Sequence, residues 1–225
     1  MVGKRLRQIK WINYIMNCVV CGSNLVEVFD IIDQKKYLEC KICLAKFLDR
    51  VNLLSPTEEK IHYLTHQNNI SDLRYRKFLS KLSIPLQTKL SKNAEGLDYG
   101  CGHGPALVDM FRSEQFPMDL YDPFFFPNEF IFSKEYDFIS CTETVEHFFT
   151  PSKEFNILNS LLKDKGWLGI MTSFMTKDKF FKNWYYRKDP THVVFYCEKT
   201  FDVIAQQRNW SCEVISKDIV LFNKT

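Results

Sequence analysis

From Ala94 to the C-terminus, short wholly apolar runs alternate with one-sided apolar runs, a pattern that predicts strands exchanging with helices. "GLDYG", "MDLYD", "YDFISCTE" and "WLGIMTSF" read as buried strands. "PALVDMFRSEQ", "SKEFNILNSLLKDKG" and "EKTFDVIAQQRN" read as helices, the second stopped by Gly166. The closing runs, "SCEVIS" and "DIVLFN", are separated by little more than Lys217 and predict an antiparallel hairpin. This order implies an α/β fold with a mostly parallel sheet covered on both faces.

Upstream the pattern changes. "SPTE" marks a helix start, with Ser55 as N-cap, Pro56 in the first helical position and Glu58 completing a capping box, and the helix is expected to run to about His66. "HQNNIS" breaks it. "SDLRYRKFLSKL" then sets Leu73, Phe78, Leu79 and Leu82 on one side of a second helix, ended by Pro85. The chain divides into a cysteine-bearing head (1–54), a helical bridge (55–92) and a strand-and-helix body (93–225).

Composition narrows the function classes. The 225 residues are 45% hydrophobic and 25% charged, enough for one substantial core. A formal net charge of +3 is too small to mark a nucleic-acid surface. No run reaches the roughly 18 uncharged apolar residues of a membrane span. The basic start is interrupted by Asn13 and Asn17 and lacks a small-residue cleavage site, which argues against a secretory signal. With eight cysteines, a reducing cytoplasm is expected, where thiols serve as ligands or core filler.

Four of those cysteines have a spacing that carries chemistry. "CVVC" (Cys18, Cys21) and "CKIC" (Cys40, Cys43) form C-x2-C-x18-C-x2-C, two knuckles suited to a closed tetrahedral thiolate site and hence to structural zinc. Gly22 suits the left-handed turn of the first knuckle, whereas the second has Leu44 there. Cys101, Cys141, Cys197 and Cys212 read as core residues.

"DYGCGHGP" places Gly100, Gly102 and Gly104 where the chain turns from strand to helix, and Pro105 stands where a dinucleotide loop would need its third glycine. The bare backbone lets a ligand lie directly against it. Asp122 follows at nearly the roughly 20-residue separation at which an acidic side chain meets ribose hydroxyls. Its alternative is a turn-forming Asp-Pro.

"GLDYGCGHGPAL", "YDPFF", "YDFISCTETVEHF", "LLKDKGWLGIMT" and "WYYRKDPTHVVFY" resemble class I S-adenosylmethionine-dependent methyltransferases. More narrowly, they are similar to a bacterial subgroup with N-terminal cysteine knuckles, and the resemblance spans essentially the whole chain. It implies a Rossmann-like sheet with S-adenosylmethionine as cofactor. Gly100, Cys101, Gly102 and Gly104 would line its methionine and ribose portion, and Asp98 would hold its amino group through water or backbone. Asp122 would take the ribose hydroxyls, Phe124 would flank the adenine, and Thr142 and Glu143 would sit beside the methyl-bearing sulfur. The family's third strand has little room in "PFFFPNEFIFSKEYDF" and is expected to be abbreviated.

"ETVEHF" resembles the E-x-x-E-H pattern of ubiquinone-biosynthesis O-methyltransferases, which is associated there with a divalent cation. On a helix, Glu143, Glu146 and His147 would share one face and suit Mg²⁺ or a transition metal; the alternative is a capping Glu and a packed His. His147 and His192 are the candidate bases, with Asp189 and His192 an oriented acid–histidine pair or a structural loop turn. The expected function is methyl transfer to an oxygen of a small-molecule acceptor, without nucleic acid or a membrane span. The alternatives are an RNA or protein methyltransferase whose head recognises the macromolecule, and a non-catalytic cofactor-binding scaffold. The sequence leaves the oligomeric state open.

Overall fold

A computed structural model describes residues 17–65, 69–175 and 177–225. β1 (Val26–Ile32) and β2 (Lys35–Cys40) form an antiparallel hairpin between the two knuckles. Asp33 and Gln34 turn it at φ 51° and 62°, a left-handed pair that matches the twist of the flanking strands. β3 (Lys46–Leu48) adds to β2.

In the bridge, α1 (Pro56–Tyr63) starts with the predicted capping box at Ser55 and Glu58. The expected continuation to His66 reaches a residue outside the described ones. α2 (Leu73–Gln87) runs past Pro85, contrary to the sequence expectation. Pro85 stands in the last turns, where its ring forfeits one backbone bond, while Leu82 and Leu86, both fully buried, hold the helix on the sheet across that point. The two leucines approach Gly169 so closely that a Cβ there would lie 3.0 Å from each.

The body begins with β4 (Gly96–Tyr99), α3 (Ala106–Ser113), β5 (Met118–Tyr121) and β6 (Tyr136–Thr142). Between β5 and β6 the described residues form an Asp122–Phe126 bridge and a 3-10 turn over Glu129–Ser133, so the third strand is absent rather than shortened. α4 (Pro151–Leu161) leads directly into β7 (Leu162–Met171). The predicted stop at Gly166 is therefore wrong. Leu162 turns extended and pairs with Tyr136, and Gly166 lies inside the strand, where a Cβ would meet the Lys163 carbonyl at 2.8 Å.

α5 (Asp178–Phe181), α6 (Tyr185–Lys188), β8 (Val194–Phe195) and α7 (Glu198–Gln206) follow, and β9 (Trp210–Ser216) and β10 (Ile219–Lys224) close the chain as the predicted hairpin. The main sheet runs β5-β4-β6-β7-β10-β9, parallel from β5 to β7 and antiparallel through β10 and β9. This is the expected α/β arrangement. α2 and α3 cover one face, where Leu79, Leu107 and Phe111 meet Phe138 and Leu221. The other face shares one apolar cluster with the head, including Phe47, Phe155, Tyr196 and Phe201. β8 joins that head as the fourth strand of its sheet, beside β3. No helix among the described residues is long and apolar enough to cross a membrane.

Candidate active site

The C-terminal ends of β4, β5, β6 and β7 open into a cleft of about 1080 Å³, bordered by α1, α2 and the segment from Lys177 to His192. A crevice beyond the carboxyl ends of parallel strands is where α/β sheets bind ligands.

β4 delivers Asp98 to the cleft floor, 4% exposed, with Ser140 Oγ donating to its carboxylate at 2.6 Å. Burial, with the charge of Asp122 adding to it, pushes the Asp98 carboxyl up to about 7. The chain then turns through Gly100 and Gly102 at φ 85° and 62°. A Cβ on Gly100 would lie 2.2 Å from Thr144 Cγ2, so this position needs both the conformation and the space. Cys101 and Gly104 also line the cleft. Burial and the carboxylate of Asp98 push the Cys101 thiol up, which keeps it protonated and a poor nucleophile.

Asp122 ends β5 and does the work of a turn former. Its Oδ1 accepts from Phe124 N at 2.9 Å and Phe125 N at 3.1 Å, while Oδ2 accepts from Gly102 N at 3.0 Å. The same carboxylate lines the cleft, as does Phe124, whose ring lies 5.7 Å from that of Tyr63.

β6 ends in Thr142, whose buried Oγ1 has no partner, and Glu143, held at φ 49°. Burial and then the charge of Glu146 push the Glu143 carboxyl up to about 9. The expected helical face of Glu143, Glu146 and His147 does not form. Only Val145–His147 makes a single 3-10 turn, and the left-handed Glu143 precedes it. His192 takes Glu143's place, so that ligand atoms of Glu146, His147 and His192 lie within 4.8 Å of one another.

Both imidazoles are oriented from behind. His147 Nδ1 meets the Thr191 carbonyl at 3.0 Å, and His192 Nδ1 meets the Tyr186 carbonyl at 2.7 Å. A carbonyl only accepts, so each Nδ1 carries a hydrogen, and in the neutral ring Nε2 is the nitrogen that holds the lone pair. Burial holds the His192 imidazole below its ordinary range. The rings stand 4.7 Å apart.

Of the two sequence readings of Asp189 and His192, the structure favours the loop turn: His192 N donates to the Asp189 carbonyl at 3.3 Å, and their side chains bond to other partners. The Asp189 carboxylate accepts from Thr191 N at 2.9 Å and Thr191 Oγ1 at 2.5 Å, and its other oxygen meets His62 Nε2 at 3.3 Å. Against the opposing effect of burial, the two bonds from Thr191 hold its carboxyl at about 2.

Sequence reasoning missed Glu59, Tyr63 and Tyr186. Tyr63 Oη donates to Glu59 Oε1 at 2.6 Å from one turn further along α1, and both residues border the cleft. The i, i+4 spacing of an acid and a tyrosine on a short helix was the available signal. Tyr186 donates to the fully buried Glu146 and meets Thr172 Oγ1 at 2.9 Å.

In the head, Cys18 Sγ and Cys43 Sγ are 3.6 Å apart, and Cys21 Sγ and Cys40 Sγ are 3.5 Å apart. Zinc–sulfur bonds of about 2.3 Å in a tetrahedron set sulfurs about 3.8 Å apart, so the four thiols already have the size of the site. Gly22 has φ 78°, and Leu44, the departure noted at the second knuckle, adopts the same left-handed turn at φ 59°. Amides close both knuckles, Cys21 N to Cys18 Sγ at 3.5 Å and Ile42 N to Cys40 Sγ at 3.4 Å.

The model of a family described as a methyltransferase domain matches residues 64–214. The chain belongs to that family. It is a class I S-adenosylmethionine-dependent methyltransferase.

Among solved structures, the methyltransferase is similar to a putative methyltransferase from Bacillus halodurans, at 16% identity over 61% of this chain and 71% of that one, with a TM-score of 0.45. It is also similar to an O-methyltransferase family protein from Burkholderia thailandensis, at 16% identity over 68% of this chain and 60% of that one, with a TM-score of 0.47. A third is the plantazolicin methyltransferase BpumL in complex with a triazolic desmethylPZN analog and SAH, at 14% identity over 75% of this chain and 98% of that one, with a TM-score of 0.44. No curated protein matches the chain.

The residues present fit an adenosyl amino acid. The Thr142 hydroxyl is buried without a partner, the Asp98 carboxylate is buried with a hydroxyl as its donor, and the Gly100 backbone is held open. These features suit a cationic, hydrogen-bonding ligand.

Proposed function

We propose that this methyltransferase transfers the methyl group to an oxygen of a small-molecule acceptor, and that the cleft holds cofactor and acceptor together. The carrying observation is the cleft volume of about 1080 Å³, with His147, His192, Phe180, Trp184 and Tyr185 among the residues that line it. That volume lies just above the roughly 300–1,000 Å³ range of pockets that hold one drug-sized ligand, which supports a second occupant.

In this reading Asp98 faces the amino group of the cofactor, Gly100, Cys101, Gly102 and Gly104 lie along its methionine and ribose portion, and Asp122 meets the ribose hydroxyls. Phe124 flanks the adenine, while Thr142 and Glu143 border the reacting end. The cofactor supplies an electrophilic methyl group, so the chain's main contribution is to position the acceptor oxygen in line with it. His147 and His192 stand on the acceptor side and promote loss of that oxygen's proton, and Asp189 fixes the loop that carries His192.

The four cysteines are read as a structural zinc site. Thiolates of that kind persist in a reducing compartment, which supports a cytoplasmic protein.

The test is incubation with methyl-labelled S-adenosylmethionine and a panel of phenols, catechols and hydroxy acids, alongside bulk RNA and denatured protein. Label is expected in the small-molecule fraction as a base-stable ether. Label confined to RNA or protein would overturn the reading.

A further inference from the structure

Mg²⁺ held by Glu143, Glu146 and His147 does not suit this geometry, because Glu143 lies outside the cluster and a second imidazole occupies its place. Two nitrogens and one carboxylate form a different donor set. Hard Mg²⁺ favours oxygen and retained water, whereas two imidazoles and a carboxylate on one side of an ion, with open positions opposite, suit borderline transition metals.

We propose that Glu146, His147 and His192 bind a divalent transition-metal ion that presents its open positions to the acceptor oxygen. Three independent observations converge on this. Glu146 is fully buried, and its Oε2 has no hydrogen-bond partner. A buried carboxylate oxygen without a donor is costly, and a cation removes that cost. Both Nδ1 atoms are committed to backbone carbonyls, at 3.0 Å and 2.7 Å, which is how proteins orient imidazole ligands and free Nε2 for a metal. The distances also fit. Bonds of about 2.1 Å allow ligand atoms to lie up to about 4.2 Å apart. His147 Nε2 stands 4.0 Å from Glu146 Oε1, the oxygen that Tyr186 occupies, and the ligand atoms of the set lie within 4.8 Å of one another, so the three ligands need close by only about 0.6 Å to reach that limit.

The imidazoles line the cleft while Glu146 lies behind them, so an ion held there faces the acceptor volume. Tyr186 donates to the other oxygen of Glu146, leaving Oε2 for the ion. Glu59 and Tyr63 complete the polar surroundings from α1, with the Tyr63 ring 5.3 Å from that of His147.

The metal's catalytic role rests on the proposed transfer to oxygen; its binding does not. An acceptor hydroxyl that coordinates the ion releases its proton to water at lower pH. The oxygen lone pair then forms the new carbon–oxygen bond as the carbon–sulfur bond breaks. That bond's electron pair stays on sulfur, which leaves as a neutral thioether.

The test begins with protein carrying zinc in its four-cysteine site, titrated with Co²⁺ alone, without cofactor or acceptor. The expected result is one Co²⁺ per chain with a d–d spectrum, no thiolate charge-transfer band and full zinc retention. His192→Gln and Glu146→Gln are each expected to weaken Co²⁺ binding at least about tenfold. Glu143→Gln should leave it within about twofold. Melting temperature and zinc content establish that each variant is folded. Absence of bound Co²⁺, a thiolate band, or binding unchanged in both His192→Gln and Glu146→Gln would overturn the site. Because this readout needs no methyl acceptor, failure of the oxygen-transfer reading leaves it intact.

Discussion

If Asp98 faces the cofactor's amino group as proposed, cofactor affinity depends on pH in a direction that follows from its burial. Without ligand, burial sets its carboxyl at about 7. A cationic amino group beside it favours the carboxylate and returns the pKa toward its ordinary value of about 3.9. The ligand-bound pKa is therefore the lower of the two. The affinity gained from the pair is present above the free pKa and lost as pH falls through it. Taking 7 and 3.9 as the two values, affinity should fall about 25-fold between pH 7.5 and 5.5, or about 2 kcal/mol. The ligand's own α-amino group, with an ordinary pKa of about 7.7–8.0, gains protons over the same interval and so pulls in the opposite direction. Calorimetry with S-adenosylhomocysteine at the two pH values measures the effect. Asp98→Asn should bind more weakly at pH 7.5 and show a nearly flat profile. Equal affinity at both pH values in the native chain, or the same slope in Asp98→Asn, would refute the assignment.

Other perturbations test the frame around the site. Gly100→Ala should lose about 2–4 kcal/mol of stability in denaturant titration, from its left-handed backbone and the clash with Thr144; adding Thr144→Ala should restore only the clash share. Elemental analysis of the native chain is expected to give one zinc, which Cys40→Ser should abolish while lowering the melting temperature; a native chain that folds without metal would refute the structural site. Arg187→Ala should cut kcat by about tenfold to a hundredfold through misplacement of the acceptor wall, with cofactor affinity within about threefold in calorimetry; an equal loss of affinity would mean that the cofactor half had moved instead.

The sheet was legible because buried strands and amphipathic helices have different periods, and the runs from "GLDYG" to "DIVLFN" kept them apart. Two helix ends were misread for related reasons. Pro85 and Gly166 are stop signals only in isolation; buried Leu82 and Leu86 carried α2 past the first, and pairing of Leu162 with Tyr136 ended α4 before the second. The four cysteines were readable because their spacing is local. On the acceptor side His147 and His192 were each readable as candidate bases, but their meeting was not, because they belong to separate segments and come together only through the fold. Local spacing offered Glu143 as the third member of that group, but its left-handed backbone removed it.

The head's place in the fold bears on that same acceptor side. Leu48 N of β3 donates to Val193 O at 2.8 Å, and Val193 N donates to Glu146 O at 2.9 Å. One residue therefore connects the head's sheet to the backbone of Glu146, and His192 is its chain neighbour. Two charged contacts repeat the connection. Lys46, 1% exposed, donates from β3 to Asp178 at 2.9 Å, and Arg187 donates to Asp33 at 2.9 Å and Tyr37 at 3.1 Å in the hairpin. Asp178 and Arg187 belong to the two short helices that border the cleft, α5 and α6. Helices of four residues have too few internal bonds to hold a position alone. The head supplies that rigidity, and a metal at its knuckles would fix the hairpin from which it comes. In this arrangement a metal in the cysteine site would act on the proposed chemistry from a distance, by keeping His192 and Glu146 in register with the end of β6.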